Sequence, residues 1–177
     1  TTLRAVAGVM SFTQGTIAID GHDVRTDPIA AKAVTAFLPD NPDLYEFMSG
    51  IEYLNLIADL YDIPARQREE RVRLYADAFA LTGDLGSAIA SYSHGMKQKL
   101  AIISALIRKP RLLILDEPFV GLDPAAAHLL KGYLRELCEA GGAVFFSTHV
   151  LEVAEKLCDT VAIIKDGRLV RYGPTEE

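Results

Sequence analysis

Leu112-Leu113-Ile114-Leu115-Asp116-Glu117-Pro118 is the stretch that decides the fold. Four apolar residues in a row, without polar alternation, fit a strand buried on both faces in the middle of a parallel sheet. Two adjacent carboxylates end the run and a proline follows them. Beyond it, Asp123-Pro124 supplies an N-cap and a first-turn proline for a helix that Gly141-Gly142 ends. Ala143 to Phe146 reads as a second buried strand, closing on Ser147-Thr148-His149. A helix over Leu151 to Cys158 and a strand over Val161 to Ile164 follow, and Asp166-Gly167 turns a hairpin into Arg168 to Tyr172. On the other side, Ser93 to Lys109 reads as a helix stopped by Pro110. From Ile51 to Leu85 the period is helical. Ile51, Leu54, Ile57, Ala58 and Tyr61 share one face, Pro64 interrupts, and Val72, Tyr75, Ala76 and Phe79 form a second face. Ala33 to Leu38 is a short strand halted by Pro39, Gly15 to Asp20 a strand ending in the turn Asp20-Gly21, and Leu3 to Met10 an incoming helix.

Strand and helix alternate from Leu112 onward, which predicts an α/β fold with a mainly parallel sheet flanked by helices. The helical block from Ile51 to about Ala90 reads as an insert. A chain of 177 residues predicts one domain. Half of it is hydrophobic, which excludes a disordered chain, and its net charge of -6 argues against a nucleic-acid partner. The arginines between Arg66 and Arg73 are interrupted by Glu69 and Glu70, as on a solvated helix face. Cys138 and Cys158 belong to no ligand-spaced cluster, as expected of reduced thiols in a cytosolic protein. No apolar run approaches the ~20 residues of a membrane span.

In open α/β sheets, ligands bind at the carboxyl ends of strands, and Asp116, Glu117, Ser147, Thr148 and His149 fall there. A carboxylate at such a place can hold Mg2+ against phosphate oxygens, and a second can orient or deprotonate a water. Read alone, the pair is equally an acidic strand end in a solvated turn. His149 can donate to a phosphate oxygen or be merely exposed. Ser93 is a helix N-cap, and the same helix start, with Gly95 permitting close approach, attracts an anion. Asp123 is explained by capping alone.

Taken together, Ser93-His94-Gly95-Met96, then Leu115-Asp116-Glu117-Pro118, then Gly121-Leu122-Asp123, then Ser147-Thr148-His149 resembles the ABC ATPase family. There the four segments are called signature, Walker B, D-loop and H-loop. Gly15-Thr16-Ile17 with Asp20-Gly21, and Ile164-Lys165-Asp166-Gly167, resemble the family's early turn and late hairpin, so the likeness covers the chain. The resemblance implies a P-loop NTPase-like domain over residues 1–177, with residues 43–95 as a helical subdomain carrying the signature at its end. It implies ATP and Mg2+ as cofactors. Asp116 would ligate Mg2+, Glu117 would be the general base for water attack on the γ-phosphate, and His149 would contact that phosphate. Ser93 and Gly95 would bind the γ-phosphate of ATP held by a second ATPase domain, with Asp123 at the interface. Membrane-spanning permease subunits would be the other partners, placing the chain peripherally on the cytoplasmic face of the membrane.

The sequence departs from the pattern in three places. The family's phosphate loop, ending in Gly-Lys-Ser/Thr-Thr, is expected before Thr1. In one register its hydroxyl ligand to Mg2+ precedes Thr1, and in the other Thr1 is that ligand, with Thr2 beside it. Without the loop, the 177 residues are expected to bind ATP weakly and to hydrolyse it poorly. Phe37-Leu38-Pro39-Asp40 resembles the Q-loop, with Asp40 where Gln normally stands. Asp40 is thus either a second Mg2+ ligand or a solvated loop acid. In the signature, His94 and Met96 replace the usual Gly and Gln. The aromatic segment Leu44, Tyr45, Phe47, Met48 and Tyr53 either packs the insert onto the core or forms a groove for a permease helix. The reading that follows is the ATP-hydrolysing subunit of an ABC transporter, of a bacterial exporter type. The alternatives are a soluble ABC ATPase acting on ribosomes or DNA, and a non-catalytic fragment.

Overall fold

The structure is a computed structural model, described here for residues 1–175. It divides into two compact units, residues 1–146 and the chain from Ser147 onward. The first is organised around the strand expected at its centre. β3 (Thr35–Leu38) pairs in parallel with β4 (Leu112–Asp116), Thr35 opposite Leu112 and Leu38 opposite Leu115, and β5 (Ala143–Ser147) completes the order β3-β4-β5. Leu113, Ile114 and Leu115 are all but inaccessible. Leu3 of the short first helix α1 (Thr2–Val6) and Ala7, which caps its C-terminus, pack on Ile114. A small antiparallel pair, β1 (Ala18–Ile19) and β2 (His22–Asp23), turns at Asp20-Gly21, both in the left-handed region with φ 49° and 85°. α2 (Pro28–Ala33) then leads into β3.

β5 differs from expectation. It is apolar but not buried, and Phe145 is 38 % exposed. The reason is position. Among the described residues it pairs within this sheet with β4 alone and so stands at the edge.

The helical block forms two helices, α3 (Gly50–Leu60) and α4 (Ala65–Ala78), with Pro64 between them. A reciprocal capping box starts α3. The Glu52 amide donates to Ser49 Oγ at 3.3 Å, and Glu52 Oε2 accepts from the Ser49 amide at 2.8 Å. The Ser49 amide in turn holds the Glu52 carboxyl below its ordinary pKa. Gly50 admits no side chain: a Cβ there would lie 2.3 Å from the hydroxyl of Tyr92, which donates to the Asp84 carbonyl at 2.6 Å. The segment immediately before Ser93 is thereby fixed to the start of α3.

α5 (His94–Leu106) is the axle of this unit. It contacts α3, α4 and β3, and it is buried at Gln98, Leu100 to Ile103, Ala105 and Leu106. Arg108, just past its end, joins three elements. Its guanidinium lies 3.4 Å from the ring centroid of Tyr61 at the end of α3, and Nη2 donates to the Thr35 and Lys32 carbonyls beside β3. Burial lowers the Arg108 pKa from its usual value. α6 (Pro124–Glu139) follows the D-loop segment, and Tyr133 meets Tyr75 of α4 edge to face at 5.1 Å.

The second unit contains α7 (Leu151–Leu157) and the antiparallel hairpin β6 (Thr160–Lys165) with β7 (Arg168–Pro174). Its turn places Asp166 and Gly167 at φ 51° and 73°, the pair of left-handed residues that a two-residue hairpin loop favours.

Candidate functional site

The parallel register settles which residues share an edge. Leu38 lies opposite Leu115 and both strands run the same way, so Asp40 and the Asp116-Glu117 pair leave the sheet at the same end. Adjacent strands are about 4.8 Å apart, so this brings three carboxylates to one stretch of sheet edge. Asp116 and Glu117 are half-buried and Asp40 is exposed. Glu117 has φ 48°, the left-handed region, which costs a residue with a Cβ about 1–3 kcal/mol. That twist ends the strand abruptly at the carboxylates.

Among the described residues, no group of three or more His, Cys, Asp or Glu side chains is arranged to hold a metal ion. The donor set nevertheless suits Mg2+, which takes one or two carboxylates and completes its shell with phosphate oxygens and water. Asp116 and Asp40 are the residues that would hold it.

Ser93 caps α5, accepting from the Met96 amide at 3.3 Å, and is exposed. The helix start docks on the segment that follows the carboxylates. A Cβ on Gly95 would sit 3.2 Å from the Gly121 carbonyl oxygen. Gly121, at φ 80°, has the His94 ring where its own Cβ would be, at 2.8 Å. Asp123 both caps α6, accepting from the Ala126 amide at 2.8 Å, and pairs with Lys99 Nζ at 2.7 Å. The Lys99 ammonium, then the Ala126 amide, hold the Asp123 carboxyl below its ordinary pKa. Such a lowered carboxyl contributes stability above the unfolded value near ~3.9 and loses it as pH falls through the folded value. The Asp123 carboxylate is therefore ionised at neutral pH.

The structure thus unites Ser93, Gly95 and Asp123 in one contact region, and Asp40, Asp116 and Glu117 at one sheet edge. Thr1 caps α1 without a side-chain hydrogen bond to the helix, and Thr1 and Thr2 are exposed. His149 lies in the loop before α7, in the second unit. Sequence reasoning missed Lys99, and it named Gly121 only within the D-loop motif, without its contact to the start of α5. The signal was present for Lys99, four residues after Gly95 and so on the same helix face.

The ABC transporter family model matches residues 1–120. The chain belongs to the ABC transporter family. As an ABC ATP-binding domain, it is 34% identical over all 177 of its residues to the ABC-type transporter ATP-binding protein EcsA of Bacillus subtilis, of which it spans 72%. It is 32% identical to the Nod factor export ATP-binding protein I of Cupriavidus metallidurans, of which it spans 58%. A solved ATP binding subunit of an ABC transporter superposes with a TM-score of 0.93 at 37% identity, over 98% of this chain and 72% of that one. The α/β fold and the family expected from the sequence are therefore those of the protein.

Proposed function

We propose that this ABC ATP-binding domain serves, within the full-length protein, as the ATP-hydrolysing, peripheral, cytoplasmic-face subunit of a bacterial exporter, with residues 43–95 as its helical arm and with little turnover from the 177 residues alone. The observation that carries the reading is the carboxylate edge: Asp116 and Glu117 leave the central strand beside Asp40. Asp116 and Asp40 hold Mg2+, which when bound neutralises charge on the phosphates. Glu117 accepts the proton of the attacking water. His149 donates to the γ-phosphate. Thr1 and Thr2 flank the phosphates. Ser93 and Gly95 present a helix start to the nucleotide of a second ATPase domain, with Asp123 at that interface. The exporter direction is supported by the likeness to the Nod factor export protein.

A membrane partner is supported by the surface near Asp40. Phe47 is 85 % exposed and Tyr45 51 % exposed, with their ring centroids 5.9 Å apart and Tyr45 edge-on to Tyr53. Leu44 is buried and Met48 and Tyr53 are half-buried, so the segment packs inward in part, and Tyr45 and Phe47 are the side chains left to meet a permease helix. No helix among the described residues is long and apolar enough to cross a membrane. The test is co-purification of the full-length protein with its permease from detergent, together with Mg2+-dependent ATP turnover. Tyr45→Ser with Phe47→Ser is expected to abolish co-purification while leaving the melting temperature within a few degrees, because exposed side chains contribute little to folding. Retained co-purification would remove the membrane contact from this surface.

A further inference from the structure

The contacts between the start of α5 and the loop after β4 are of three kinds, and they stand independently. The backbone touches backbone, Gly95 against the Gly121 carbonyl. A ring takes the space of a side chain, His94 over Gly121. A charge meets a charge, Lys99 with Asp123 at 2.7 Å, the lysine side chain only 18% exposed. Positions 94 and 98, and 95 and 99, stack on one helical face, so a single face of α5 carries all three contacts. Gln98 on that face is 1 % exposed, with neither amide atom paired among the described residues. The lysine end of the pair is thus largely shielded, while the Asp123 carboxylate, 49% exposed, leaves the pair partly screened by water.

From this geometry we infer that Lys99 is a positioning residue for ATP hydrolysis, locking the carboxylate loop onto the helix start so that the two move as one piece. The inference rests on the ATPase reading above. Asp123 is six residues after Glu117, and the anchor on Lys99 fixes the far end of the loop between them, whose middle is held by the Phe119 ring against Phe146 and by Gly121 under His94. Its near end is the strand β4. With both ends fixed, the Glu117 carboxylate keeps its place relative to the helix start. Released from Lys99, the loop retains its fold and its helix cap but samples other positions, and small misplacements of a catalytic group are costly in rate.

The test is steady-state ATPase kinetics on the full-length protein with Lys99→Met, Asp123→Asn, the double variant and Lys99→Arg. Asp123→Asn keeps an oxygen for the Ala126 amide and removes only the charge. Each single variant is expected to lower kcat by about tenfold or more with KM for ATP within about threefold, since positioning acts on the chemical step. The double variant should be no slower than the slower single, and Lys99→Arg should restore kcat to within about threefold. Parental kcat in both singles, losses that multiply in the double variant, or a loss confined to KM would overturn the inference. A parent without Mg2+-dependent turnover would instead remove the ATPase reading. If Lys99→Met melts below the assay temperature, Asp123→Asn against the parent decides by the same kcat criterion.

Discussion

Glu117→Gln is expected to reduce ATP turnover by roughly 10²–10⁴-fold, the range that a positioned general base contributes. Glutamine matches glutamate in size and reach, so the backbone turn at φ 48° and the half-buried setting are preserved. What it loses is the capacity to accept a proton from water. Nucleotide affinity in the presence of Mg2+ should change by no more than a few fold, because Asp116, the residue proposed to face the metal, is untouched. Single-turnover hydrolysis together with a fluorescent-nucleotide titration separates the two. Turnover within tenfold of the parent would take Glu117 out of the base role and leave water activation to another group.

Arg108→Ala is expected to cost about 2–4 kcal/mol of folding stability, from lost charge-assisted hydrogen bonds, lost stacking and exposed carbonyls together. The residue is bound to Tyr61 at the end of α3, to the Lys32 carbonyl in α2 and to the Thr35 carbonyl at the start of β3. Removing it frees the helical insert from the sheet at one point while leaving α5 intact. For a chain of this size the loss corresponds to a fall in melting temperature of roughly 4–16 °C. Arg108→Lys should recover less than half, because an ammonium neither stacks flat on Tyr61 nor forks between two carbonyls. A fall under about 1 kcal/mol in the alanine variant would make Arg108 an ordinary surface residue.

The parts of the fold that the sequence discloses are those where a local rule and the tertiary setting agree. Leu112 to Leu115 could be read as a central strand because a run without alternation has no face to give to water. Asp123-Pro124 and Ser93 could be read as helix starts because capping is a property of one turn of chain. The helix α2 escaped notice because its six residues are too few for a period to emerge, and the strand at Ala143 read as buried because apolar composition does not say whether a neighbour is present. In the site, Asp116, Glu117, Ser93 and Gly95 were legible from motif order. That Asp40 shares an edge with the first two required the register of β3 against β4. Lys99 was hidden for a different reason. A lysine in a helix is ordinarily a solvated one, and only the fold reveals that Asp123 is waiting for it.

The left-handed turn at Glu117 sets the proposed base role and durability against each other at a single position. Glycine would adopt that conformation freely, so a chain relieved of the need to hydrolyse ATP could exchange the glutamate for glycine and fold with less strain. A descendant serving only as a nucleotide-gated clamp would find its first stabilising substitution at the residue proposed as the general base.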